Sequence, residues 1–67
     1  MEHGELITTY FKDDGSKAKV YRIHDDERSY YSIAYFNSKD VMIDNKDFLH
    51  KTLTDVEGEA ENWTLGA

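Results

Sequence analysis

Leu49, Leu53, Val56, Ala60 and Trp63 recur at i, i+4, i+7, i+11 and i+14, which places them on one face of an α-helix. No other stretch keeps helical spacing for as long, so the chain can form one amphipathic helix, spanning about 52–65 and holding the only tryptophan. Thr52 is the expected N-cap. Asp55, three residues on, comes close to completing a capping box, and Asp55 and Glu57 suit the positive end of the helix dipole. Gly66, just past Leu65, is a natural stop. Asp55, Glu57, Glu59 and Glu61 surround the apolar stripe with no Lys or Arg after Lys51, so the helix flanks are acidic. Gly58 costs about 1 kcal/mol relative to Ala. The i, i+4 pairs Asp55/Glu59 and Glu57/Glu61 cost roughly 0.2–0.5 kcal/mol each. Such a helix requires something to dock on.

The residues before it supply a sheet. Leu6 to Phe11 is rich in β-branched and aromatic types and runs into Lys12-Asp13-Asp14-Gly15-Ser16, where Asp14-Gly15 signals a tight turn of the primed hairpin kind. Lys17 to His24 is a second strand, Tyr30 to Asn37 a third, and Asp40 to Asp44 a short fourth after a two-residue Ser38-Lys39 connection. Residues 1–5 are expected to be a mobile tail, and 6–44 a β-meander. The expected fold class is α+β: an antiparallel meander of three to four strands with one C-terminal helix packed on one face, in a single domain.

Composition limits what such a domain can do. A chain of 67 residues is near the size at which one core barely suffices, and with no cysteine it has neither disulfides nor thiolate metal sites as staples. Its net charge of −6 and pI near 4.8 argue against nucleic acid, whose affinity depends on neutralising phosphates, and against an anionic membrane surface. No apolar run approaches the roughly 18 residues of a spanning helix. Met1-Glu2-His3-Gly4 lacks the regions of a signal peptide, so the expected location is the cytoplasm.

Enzymatic chemistry finds little support. His3, His24 and His50 lack HxH or HxxxH spacing, and the neighbours His24-Asp25-Asp26-Glu27 cannot all point at one ion. There is no nucleophile elbow and no phosphate-binding glycine loop. The expectation is a non-enzyme with no cofactor and no metal.

A mismatch in patterning points to binding instead. Tyr30 to Asn37 is apolar on both faces, and the second strand carries Val20 on one face with Tyr21 and Ile23 on the other. One helix covers one face. The other should present aromatics drawn from Tyr21, Tyr30, Tyr31, Tyr35 and Phe36, the parity being open at this level. The candidate partner-binding residues are therefore Tyr21, Tyr30, Tyr31 and Tyr35 on the sheet, with Asp55, Glu57, Glu59 and Glu61 on the helix to meet a basic surface. Solvated tyrosines and a solubilising acidic helix are the plainer alternatives.

Leu53-x-x-Val56-Glu57-x-x-Ala60-Glu61-Asn62-Trp63, taken with Tyr10-Phe11-x-Asp13-x-Gly15-x-Lys17-Ala18-Lys19-Val20-Tyr21, resembles small uncharacterised proteins of tailed phages, particularly those of cyanobacteria. In that group a short meander precedes a helix of pattern L-x-x-A-E-x-x-A-E-N-W, with Val56 here in place of the first Ala. The resemblance implies an accessory protein acting in the host cytoplasm by docking onto a host protein and inhibiting or otherwise changing it. The other expectation is a self-associating protein whose uncovered sheet face or edge forms a homodimer interface.

Overall fold

The computed structural model describes residues 3–24 and 26–66. Four strands, β1 (His3–Phe11), β2 (Lys17–His24), β3 (Ser29–Phe36) and β4 (Met42–Phe48), precede one helix, α1 (Leu53–Thr64). The strands pair antiparallel in chain order, β1-β2-β3-β4, so β1 and β4 are the edges. The expected α+β meander with its C-terminal helix is the fold observed.

Register decides which side chains meet the helix. Tyr10, Ala18 and Tyr35 form one cross-strand row, and Thr8, Val20, Ile33 and Lys46 the next. Ala18, Val20, Ile33 and Tyr35 make the buried core together with Val56 and Ala60 of α1. Val20, Ile33 and Val56 are fully buried, each contributing roughly 1.5–3 kcal/mol of transfer free energy. Around them pack Ile7, Tyr10, Tyr31, Phe48, Leu53 and Trp63. The helix therefore lies over β2 and β3, and small residues at Ala18 and Ala60 let it approach closely.

Both helix ends follow the sequence. The Thr52 hydroxyl accepts from the Asp55 N–H at 3.2 Å, and the Leu65 N–H donates to the carbonyls of Glu61 and Asn62. Gly66 takes φ 97, the left-handed conformation that closes such a terminus.

Several boundaries differ from those expected. The first strand starts at His3 rather than Leu6, because the far end of β2 gives it ladder partners: Gly4 opposes Ile23, and Glu5 opposes Arg22. Met1 and Glu2, the start of the expected tail, lie outside the described residues. The fourth strand is Met42–Phe48, not 40–44. Its polar run Asp44-Asn45-Lys46-Asp47 reads as a break, yet it suits an edge, where charge discourages pairing with other chains. Leu49 precedes the helix and is half exposed, so the apolar stripe begins at Leu53 while Phe48 packs on the core from β4.

The hairpin turns also depart from the primed type. The Gly15 N–H donates to the Lys12 carbonyl at 3.1 Å, and Gly15 alone in that turn has positive φ, at 92. That is a type I turn followed by a left-handed residue. The β3–β4 turn repeats the pattern, with Asp40 N–H donating to the Asn37 carbonyl and Asp40 at φ 65. The two turns sit side by side. A Cβ on Gly15 would come 3.2 Å from Cβ of Ser38, and Lys17 pairs with Asp40 across them.

Two glycine substitutions should therefore move stability in opposite directions. Gly58→Ala meets nothing within 4 Å and relieves the helix, so it should stabilise by about 0.5–1 kcal/mol. Gly15→Ala places a side chain at positive φ against Ser38 and should destabilise by about 1–2 kcal/mol. Urea denaturation of the two variants beside the parent checks both signs.

Candidate interaction surfaces

Alternation along each strand sends the residues between the core positions to the opposite side of the sheet. There Phe11, Lys17, Phe36 and Met42 form one row across all four strands. Leu6, Tyr21, Ser32 and Asp47 form another, and Gly4, Ile23 and Tyr30 a third. Seven large apolar or aromatic side chains thus share a face that α1 does not touch: Leu6, Phe11, Tyr21, Ile23, Tyr30, Phe36 and Met42. Phe11 is 69% exposed, Met42 55% and Leu6 52%. Tyr21, Ile23, Tyr30 and Phe36 are half-buried against their neighbours. Gly4 is the gap over which Tyr21 and Ile23 lie, the Ile23 Cδ1 standing 3.4 Å from where a Cβ would be.

Polar groups divide this face into two apolar ends. The Lys19 ammonium stands over the Phe36 ring, 5.0 Å from its centroid. The buried Ser32 hydroxyl lies within hydrogen-bond distance of both the Lys46 carbonyl, at 3.1 Å, and the Asp47 carboxylate, at 2.9 Å. Lys17, Lys19 and Asp47 are its charged residues among those described. In a chain of net charge −6, the described residues of this face are nearly without acid.

The four candidate tyrosines split evenly between the two faces. Tyr21 and Tyr30 stand on the uncovered face. Tyr35, expected as a partner-binding residue, is 4% exposed beneath α1, with its ring 4.9 Å from that of Trp63. Tyr31 packs on the same core, and its hydroxyl accepts from the Arg22 guanidinium at 3.3 Å. Odd positions of β3 belong under the helix because Ile33 and Tyr35 fit the Ala18–Ala60 gap. Phe11, Met42 and Leu6 were missed as candidates, although the period-two pattern of β1 opposite Tyr10 identifies Phe11.

The acidic residues of α1 occupy both flanks. Asp55, Glu59 and Glu61 are exposed, and Glu57 is half-buried. On the β1 side, burial and then the charges of Glu57 and Glu61 push the Tyr10 phenol above its ordinary value. Toward β4, burial and then Glu59 and Asp44 do the same to Tyr35. The flanks are not purely acidic in space, since Lys12 comes from the β1–β2 turn to sit 4.4 Å from the Trp63 centroid.

The helix leaves β4 exposed on its own side of the sheet except at Phe48. Between them runs an open groove of about 400 Å³ lined by Tyr35, Ile43, Asp44, Lys46, Glu59, Asn62 and Trp63. It is continued by a smaller hollow of about 150 Å³ at Phe48, Lys51, Asp55 and Glu59. Ile43 reaches the groove through a bulge, being the extra residue between the Tyr35–Asp44 and Phe36–Met42 pairs. Ile7 occupies the matching bulge of β1, and there packs on the core.

His24 faces Ser29, with Nδ1 3.0 Å from the hydroxyl oxygen, and lies 4.0 Å from Glu5. Among the described residues, no group of three or more His, Asp or Glu is placed to hold a metal, and no helix is long and apolar enough to cross a membrane. Asp25, part of the acidic loop after His24, lies outside the described residues. No protein-family model, curated protein or solved structure matches the chain. The likeness to tailed-phage proteins rests on its quoted residues alone.

The raised phenols of Tyr10 and Tyr35 carry a stability consequence of definite sign. Below the ordinary tyrosine value of about 10 both are protonated in folded and unfolded chains, and their contribution is complete. As pH rises past that value the unfolded chain ionises first, so stability falls until the folded phenols ionise too. Denaturation midpoints should drop as pH rises past about 10, the ordinary tyrosine value, and Tyr35→Phe should flatten that decline; an unchanged slope would show that the phenol environment is not coupled to folding.

Proposed function

We propose that this chain is a non-enzymatic interaction protein that binds another protein through the uncovered face of its sheet. The observation that supports this most is the sharing of that face by Leu6, Phe11, Tyr21, Ile23, Tyr30, Phe36 and Met42, the most exposed of which span it from edge to edge. A face that is apolar and aromatic at both ends resembles the buried centre of an interface rather than ordinary solvated sheet. Resemblance to small tailed-phage proteins suggests the partner class: a host protein whose activity is inhibited or redirected by docking. Asp55, Glu59 and Glu61, exposed on the other side, suit secondary contacts with a basic surface and would act mainly on association rate.

Self-association is the second reading, and the free edges favour it. β4 exposes every residue but Phe48, and its outer backbone groups have no strand beside them among the described residues.

Phe11→Thr with Met42→Thr tests the first reading, because both side chains are exposed enough to change within about 0.5 kcal/mol of parent stability. Capture of a stoichiometric protein from cyanobacterial lysate should fall about tenfold or more with the double variant while circular dichroism stays unchanged. Undiminished capture would contradict it. Sedimentation showing a parental dimer that the double variant converts to monomer would instead support the homodimer.

A further inference from the structure

The groove between α1 and β4 lies on the other side of the sheet from the face just described, and its chemistry is different. Its aromatic wall is the ring of Trp63, Tyr35 lies buried at its floor with its ring inclined at 53° to the indole, and its rim carries Asp44 and Glu59 against Lys46. An aromatic wall with a net negative rim attracts an organic cation, through the ring quadrupole and through charge. The molecule already shows the first of these interactions, since the Lys12 ammonium rests on Trp63 without being among the groove-lining residues. Burial first, and then the charges of Glu59 and Asp44, hold the Tyr35 phenol above its ordinary value, so both rim carboxylates act at the floor of the groove.

We propose that this groove receives a lysine or arginine side chain from an extended segment of a partner polypeptide that pairs with the free edge of β4. The edge supplies the reason for a polypeptide rather than a free amine. A segment added beside β4 would hydrogen-bond to its outer backbone groups. Side chains opposite Asp44 and Lys46 would project to the helix side, where the groove opens. A basic residue opposite Asp44 meets that carboxylate across the strands and extends toward Glu59 and the Trp63 ring. One opposite Lys46 is repelled, so the rim also fixes the register of the incoming strand.

The blocked peptide Thr-Val-Lys-Val-Thr, the same peptide with norleucine for lysine, and butylammonium are suitable probes, read by Trp63 fluorescence and by its indole N–H signal. The lysine peptide should bind more tightly than either of the others and weaken as salt rises from about 0.05 M to 0.5 M. Glu59→Gln, at an exposed helix position, should weaken it about twofold to fivefold. Lys46→Gln should strengthen it by a similar factor, a result that a merely structural role would not produce. Equal affinity of the norleucine peptide, or indifference to both substitutions, would overturn the cation site; butylammonium binding as tightly as the lysine peptide would overturn the strand-pairing mode.

Discussion

Val56 and Ala60 seat α1 on Ala18, Val20 and Ile33, and this contact sets most of what the rest of the molecule can do. A helix with side chains is roughly 10–12 Å across, whereas four strands spaced at about 4.8 Å span nearly twice that. One helix placed over β2 and β3 leaves β4 exposed on its own side except at Phe48, and the whole opposite face uncovered. Both candidate surfaces follow from that shortage of cover. The helix in turn depends on the seat, since Gly58 and its like-charge pairs leave it little stability of its own.

The two surfaces are unlike in electrostatics. Carboxylates of α1 and Asp44 gather on the helix side, and among the described residues the sheet's far face carries Lys17 and Lys19 with Asp47 as a counterweight. The described part of a chain of net charge −6 thus presents one acidic side with an aromatic groove and one apolar side with little acid. The first suits charge-assisted contacts that salt screens, and the second suits contacts governed by desolvation. Partners of different chemistry could occupy the two without competing.

Much of this architecture is legible in the sequence, for identifiable physical reasons. Helix spacing, the Thr52 cap and the Gly66 stop are local signals, and local geometry realises them. The positive φ at Gly15 is legible too, although its turn is type I with a left-handed third residue rather than primed. The parity of β3 is marked only by Ser32, since Tyr30, Ala34 and Phe36 on its face are otherwise as apolar as Tyr31, Ile33 and Tyr35 on the other; packing against Ala18 and Val20 decides it. β4 is obscured by its charges, which fit an edge strand and imitate a loop. The groove is the least visible feature, as it depends on a one-residue bulge that turns Ile43 toward the helix and on the lateral position of α1.

The central claim, that the uncovered sheet face is the binding surface, is tested most directly by methyl signals of the labelled protein in complex with its captured partner. The methyls of Leu6, Ile23 and Met42 lie on that face, and those of Ile33, Leu53 and Val56 lie under or on the helix. The account predicts that the first three shift and broaden on binding while the second three stay in place. Perturbation confined to the helix side, with Leu6, Ile23 and Met42 unchanged, would contradict it and transfer the interface to the acidic flanks of α1.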